Sequence, residues 1–152
     1  MADHRRLSEI MAFTTNLEHA GDIVEKSLMP LASKRIKHGI SFSETSRQEI
    51  RDMIDRLINN ARGAAAVFIT EDPRAARQLL GEKEVFREIE SRTTEEYFGR
   101  ARGSRVENIE MSKLLLDIVR DLKRVNAHLA AAAYPVLEGR GELLPSRLKH
   151  DE

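Results

Sequence analysis

The chain has 152 residues, a length that suits one domain with its own hydrophobic core, because such a chain buries about 68–70% of its unfolded surface. Its 25 basic and 25 acidic residues give zero net charge, which disfavours nucleic acid and anionic lipid as partners. Cysteine is absent, which excludes disulfides, thiolate nucleophiles and cysteine-ligated metals, and no apolar run approaches the roughly 20 residues that cross a bilayer.

The first predicted helix carries an apolar row whose members are three and four residues apart, the spacing of one helix face. Pro30 lies near the end of this row, and Gly39 suits the C-cap that ends the helix. The row consists of Leu7, Ile10, Thr14, Leu17, Gly21, Val24, Leu28 and Leu31.

Three more helices are predicted, and each is preceded by a capping signal. The third has the fewest apolar residues among its charges, so we expect it at an edge of the molecule. The signals are Thr45 with Gln48 and Ser46 with Glu49 before the second helix, Asp72 and Pro73 before the third, and Gly103 followed by Ser104 with Glu107 before the fourth.

Helical periodicity runs through all four segments, and no β-type alternation interrupts it. Connections of a few residues force neighbouring helices to run antiparallel, and helices of about 24 to 35 residues would extend roughly 35–50 Å. The sequence therefore predicts an all-α fold, an elongated antiparallel up-down-up-down bundle of four long helices. A polar C-terminal tail is expected over residues 139–152.

Residues 17–32 and 122–137 match at an offset of 105 residues, and the match aligns Pro30 with Pro135. Proline inside a helix costs about 3 kcal/mol unless it lies near an end or a kink, so two prolines at equivalent points suggest equivalent architecture. We interpret the chain as the last helix of one repeat followed by a complete three-helix repeat from about residue 44 to 138. Two helices of the first repeat would then be missing upstream.

The segment NLEHAGDIVEK resembles the third-helix signature of PhoU-like proteins, a Leu-Glu-Arg-Ile-Gly-Asp core that here reads Leu-Glu-His-Ala-Gly-Asp over residues 17–22. Residues 114–138 resemble the last helix of the cytoplasmic PhoU-like domain at the C-terminus of bacterial sodium/phosphate cotransporters. The resemblance implies one PhoU-like helical domain over residues 1–138, which regulates or takes part in sodium-dependent phosphate uptake and is not an enzyme.

The same resemblance implies a location on the cytoplasmic side of the bacterial inner membrane, with the membrane transporter core of the same polypeptide as partner. The segment MADHRRLSEI lacks the apolar core of a signal peptide, so the chain as given is expected to be soluble. Two missing helices would leave the first apolar row partly uncovered, which predicts a homodimer. The sequence leaves open whether phosphate itself binds.

Some PhoU-like proteins bind iron or zinc clusters through Glu/Asp-x-x-x-Asp pairs, because carboxylates four residues apart share one helix face. Glu18 and Asp22 keep this pattern, while the matching positions of the fourth helix are Lys123 and Ala127, which cannot ligate a cation. The candidate metal ligands are Glu18 and Asp22 on the first helix and Asp117 and Asp121 on the fourth.

These carboxylates have a simpler interpretation as a solvated helix face and as partners in intrahelical ion pairs, so no cofactor is the primary expectation. A carboxylate-based bundle that holds divalent iron, zinc or manganese is the first alternative function. Redox chemistry is disfavoured because no Glu-x-x-His motif occurs. A free-standing helical adaptor is the second alternative.

Overall fold

A computed structural model describes residues 2–103 and 105–139, and this part of the chain contains helices, turns and loops but no β-strand. The all-α prediction is therefore confirmed for the described residues, while the expected tail lies outside them from residue 140 onward. The elements are α1 (Ala2–Ile23), a π-helical turn (Val24–Leu28), α2 (Met29–Lys37), α3 (Glu44–Thr70), α4 (Pro73–Ala101), α5 (Val106–Ala130) and α6 (Ala133–Gly139).

Two helix boundaries follow the predicted signals. Gly39 has a φ of 61°, the left-handed conformation that ends the first helical segment without a Cβ clash. The side chain of Asp72 accepts a hydrogen bond from the backbone N–H of Arg74 at 3.0 Å, and Pro73 is the first residue of α4. These signals depend on local backbone geometry, which explains why the sequence shows them.

The cap of α3 differs from the prediction. Ser43 is the N-cap, and its Oγ accepts a hydrogen bond from the backbone N–H of Ser46 at 3.2 Å. Thr45 and Ser46, which were expected to cap, already lie inside the helix, because the extended backbone of Ser43 comes first and satisfies the open N–H group. Ser104, expected to cap the fourth helix, lies outside the described residues.

The centre of the molecule is α5, because α1, α3 and α4 all pack against it. Its buried positions include groups of adjacent residues, because neighbouring helices cover more than one side of it. The buried residues of α5 are Ser112, Leu114, Leu115, Leu116, Val119, Asp121, Leu122, Val125, Asn126, Leu129 and Ala130.

Side-chain pairs give the directions of neighbouring helices. In each set of pairs the residue numbers rise along one helix as they fall along the other, so the paired helices run in opposite directions. The pairs are Asn16 with His128 and His38 with Glu110 for the first segment and α5, Arg56 with Glu82 and Glu49 with Arg92 for α3 and α4, and Lys123 with Glu90 and Ser112 with Arg100 for α5 and α4.

The third predicted helix is not the edge of the molecule. In α4, Phe86 and Ala76 are fully buried against the core, whereas α1 buries only Ala20 and Ile23. The prediction was based on the number of apolar residues in each helix. In α1, however, the longest apolar row lies away from the core. The edge helix is therefore α1.

The last predicted helix is interrupted. We expected a continuous helix to residue 138, but α5 ends at Ala130 and a turn at residues 131–132 precedes α6. Pro135 explains the break, because its ring would clash with the carbonyl of residue 131 in a continuous helix. Pro30 follows a similar irregularity, since residue 26, four positions earlier, lies in the π-helical turn.

Candidate functional site

The apolar row of α1 is exposed along much of its length. Leu7, Ile10 and Leu17 on α1, and Val24 at the start of the π-helical turn, are each between 41% and 55% exposed. The side of α1 that meets α5 is a neighbouring row, which includes the buried Ala20. The uncovered row that the sequence led us to expect is therefore present.

A second exposed row lies on α3. Ile54 and Ile58 are 42% and 48% exposed, and Ala61 and Ala65 continue the same side of the helix at steps of three and four residues. Leu57 of the same helix is half-buried against the core. The row therefore lies at the boundary between the core and the surface.

The two rows lie on facing sides of α1 and α3. The helices meet where the rings of Phe13 and Phe68 stack with centroids 4.3 Å apart, and where Arg6 donates to the carbonyl oxygen of Phe68 at 2.9 Å and pairs with Glu71 at 3.3 Å. Leu17 lies four residues after Phe13 and Ala65 three residues before Phe68, so each row continues along the side that faces the other helix.

We call the surface formed by these two rows the α1–α3 face. Neighbouring exposed apolar side chains of this kind often mark an interaction site on a soluble protein. Its large apolar members are Leu7, Ile10, Leu17, Val24, Ile54 and Ile58.

The predicted carboxylates of α1 are on the surface. Asp22 lies 3.6 Å from the ammonium group of Lys26, an exposed pair one helical turn apart. Glu18 is exposed and has no ion-pair partner within residues 2–103 and 105–139. The metal-ligand and surface interpretations of Glu18 and Asp22 both stay predictions.

The predicted carboxylates of α5 differ in burial. Asp117 pairs with Lys113 at 3.3 Å, one turn earlier on the same helix. Asp121 is buried, accepts a hydrogen bond from the hydroxyl of Ser27, and pairs with Arg124 at 3.0 Å. Asp121 therefore links α5 to the π-helical turn.

Sequence reasoning missed Ser27, which lies in this turn. A π-helical turn inserts an extra residue and changes which side chains face the neighbouring helix, and such turns are frequent at functional sites. The available signal was Pro30, because proline disfavours regular α-helix four residues before it.

Asp117, Asp121 and Ser27 line an open cleft of about 350 Å³ together with Arg120 and Arg124. The two guanidinium groups balance the two carboxylates, so the cleft has no excess negative charge to attract a cation. The described residues contain no group of three or more metal-ligating side chains close enough to hold an ion. The four-carboxylate metal site stays a prediction.

A buried amide pair was also missed. Asn60 Nδ2 donates to Asn126 Oδ1 at 2.8 Å and to Glu82 Oε2 at 3.2 Å, and Glu82 pairs with Arg56 at 2.8 Å. Asn126 is fully buried on α5. The network joins α3, α4 and α5 at one height and opposes slippage of one helix along another.

His128 lies at the contact between α1 and α5. Its Nδ1 is 2.9 Å from Asn16 Oδ1, and its ring meets the edge of His19 with centroids 5.2 Å apart. Burial lowers the pKa of His128 below 6.5, and the nearby His19 and Arg124 lower it further. The neutral imidazole is therefore favoured at this contact.

A polar cleft of about 1050 Å³ lies between α3 and α4, near the start of α3. Its arginines are engaged, since Arg92 pairs with Glu49 and Arg100 donates to the hydroxyl of Ser112 at 3.3 Å. Residues of both charges line the cleft, so it offers no concentrated site for an anion.

No helix among the described residues combines the length and apolar character that a membrane span requires.

The chain is similar to part of several longer bacterial proteins. It is 35% identical over 136 residues to the "Putative inorganic phosphate export protein YjbB" of Salmonella typhimurium, and 33% identical over 136 residues to proteins of the same name from Escherichia coli K12 and Shigella flexneri. Each match covers 90% of this chain and 25% of the relative. The chain thus spans about a quarter of the length of these relatives.

No protein-family model matches the chain, and no solved structure matches it at a significant level.

Proposed function

We propose that the chain is a PhoU-like interaction domain that acts in phosphate transport without being an enzyme. The observation that carries this proposal is the match to proteins named for phosphate export across 90% of the chain. The proposal includes the PhoU-like fold, an antiparallel bundle of four long helical segments. The relatives' names favour export over the uptake expected from the sequence.

The domain would belong to a sodium-dependent phosphate transporter and lie on the cytoplasmic side of the bacterial inner membrane. The relatives are about four times as long as the match, so such a protein has room for a membrane core that carries the phosphate path. The chain would act by docking, since long helices with charged outer surfaces and an uncovered apolar face suit contact with another structural unit.

A chimera tests this function. The matching 136-residue region of the Salmonella relative would be replaced by this chain, and phosphate efflux would be followed from bacteria loaded with radiolabelled phosphate. We expect the chimera to retain efflux that a deletion of the region loses or deregulates.

The matched control is the same chimera with Phe86→Asp, which places a charge in a fully buried position and should prevent folding of the domain. If the unaltered chimera is produced and helical but behaves like the deletion, the proposal is wrong.

A carboxylate metal site is the second candidate, and the shared cleft of Asp117 and Asp121 is the observation in its favour. Purified chain would be analysed for iron, zinc and manganese, and its melting temperature measured with and without each ion. Stabilisation that disappears in Asp117→Asn and Asp121→Asn would support this candidate. Metal-free protein with an unchanged melting temperature would dismiss it.

A further inference from the structure

We propose that the α1–α3 face binds a second copy of this chain, and that α1 of each copy packs against α3 of the other around a two-fold axis parallel to the helices. This inference rests on the geometry of the face and not on the proposed role in phosphate transport.

The apolar composition of the face suits a dimer. A standard interface buries about 800 Å² on each partner, and its centre is more apolar than the rest of the surface. Two helices of 22 and 27 residues border the face, and its large apolar side chains are each at least 41% exposed. A second copy would cover these side chains and supply an identical apolar face in return.

Charges on the two helices complement each other. Each helix has a charge on its outer side that no ion pair within the described residues engages, the acidic Glu18 on α1 and the basic Arg62 on α3. Asp22 already pairs with Lys26, and Arg47 with Glu44. Packing α1 against α1 would bring like charges together, so the charge pattern favours α1 against α3.

Glu18 and Arg62 point toward the place of the second copy. Glu18 lies two residues, or about 200° of helix rotation, from both Asn16 and Ala20, which face α5. Arg62 lies two residues from Asn60 and Ala64, which are both buried. Each charged side chain is therefore on the side of its helix opposite to the core.

The two residues also lie at the same height. Phe13 and Phe68 stack at one level, and α1 and α3 run in opposite directions. Glu18 is about 7.5 Å beyond Phe13, and Arg62 is about 9 Å from Phe68 in the same direction. A two-fold axis parallel to the helices keeps this height, so Glu18 of each copy meets Arg62 of the other.

Apolar side chains of the two helices also lie at the same height along the helix axes. Val24 lies eleven residues after Phe13 and Ile58 ten residues before Phe68, so these two side chains also share a height.

Within residues 2–103 and 105–139, neither Glu18 nor Arg62 has an ion-pair partner. Both charges are thus available for a pair between copies.

The test is the oligomeric state of the 152-residue chain by sedimentation velocity over a range of concentrations. We expect a monomer–dimer equilibrium that Leu17→Glu and Ile58→Glu each shift to monomer, with unchanged helix content by circular dichroism. The matched control is Val106→Glu, since Val106 is 81% exposed but lies outside the face. This variant should dimerise as the unaltered chain does.

Charge reversal tests the arrangement. Glu18→Arg and Arg62→Glu should each raise the dissociation constant of the dimer about tenfold, because each change disrupts two equivalent pairs. The double variant should recover most of the affinity. A chain that stays monomeric, a dimer insensitive to Leu17→Glu, or tighter association of Glu18→Arg alone would each overturn the proposal. A monomer that binds a hydrophobic dye at this face would assign the face to another occupant.

Discussion

His128 illustrates how one side chain couples the contact between α1 and α5 to pH. Its pKa is lowered in the folded chain, mainly by burial and then by His19 and Arg124. As the pH falls below 6.5, the unfolded chain binds a proton at this site that the folded chain does not. This residue therefore makes the folded state less stable with falling pH, until the pH passes the lowered pKa.

We expect His128→Asn to flatten the fall in melting temperature between pH 7 and pH 5, because the replacement removes the group that takes up the proton. Thermal denaturation across this range measures the effect. His4→Asn is the control, since His4 is exposed and lies more than three helical turns before Asn16, away from the contact between α1 and α5. An equal slope in His128→Asn and the unaltered chain would contradict the assignment.

Asn126 is a second residue whose effect depends on a partner. Asn126→Leu removes the acceptor of Asn60 and should lower the free energy of unfolding by about 1–3 kcal/mol, the cost of weakening a buried hydrogen-bond network. In the double variant Asn60→Leu with Asn126→Leu, both polar groups are gone, so the loss should be smaller than the sum of the single losses.

Urea denaturation of the four chains gives this double-mutant cycle. The Nδ2 of Asn126 has no hydrogen-bond partner within the described residues, which is a further reason for the double replacement to be tolerated. Strictly additive losses would show that the two amides do not act as a pair.

At the scale of elements, Gly39 sets the end of the first helical segment. We expect Gly39→Ala to destabilise the chain by about 1 kcal/mol, because a φ of 61° places a Cβ against the following carbonyl oxygen. Gly81→Ala, in the interior of α4 with open space around it, should stabilise by up to about 1 kcal/mol. Chemical denaturation of both variants checks the opposite signs.

The sequence allowed prediction of features that depend on neighbouring residues. The helical segments, the glycine end at Gly39 and the cap at Asp72 follow from local backbone geometry. Features that depend on packing were not predictable in the same way. The contact of Ser27 with Asp121 joins residues 94 positions apart, and Asn60 meets Asn126 only because α3 and α5 are aligned in height.

The two segments of the predicted repeat share their backbone irregularity but not their burial. The π-helical turn at Val24–Leu28 corresponds, at an offset of 105 residues, to the region of the break after Ala130. Leu17 is 44% exposed, however, whereas its counterpart Leu122 is buried. Proline controls the backbone in both segments, while burial depends on which helices surround each one. The common origin of the segments stays a prediction.

At the scale of the whole molecule, dimerisation would couple stability to protein concentration. If two copies cover the α1–α3 face, the melting temperature should rise with concentration, because mass action favours the associated folded state. Leu17→Glu should remove this dependence while changing the melting temperature of the dilute chain little, since Leu17 is partly exposed to water. Differential scanning calorimetry at several concentrations measures both effects, and a concentration-independent melting temperature would contradict the coupling.

The attachment of α1 mainly to α5 has a mechanical consequence. A helix that packs along one neighbour, and meets α3 around Phe13 and Arg6, can detach as a unit while α3, α4 and α5 stay packed together. Native-state hydrogen exchange should therefore find the amides of α1 opening at a lower free energy than those of α5. The first helix can therefore separate from the bundle and pack against it again while the remaining helices stay folded.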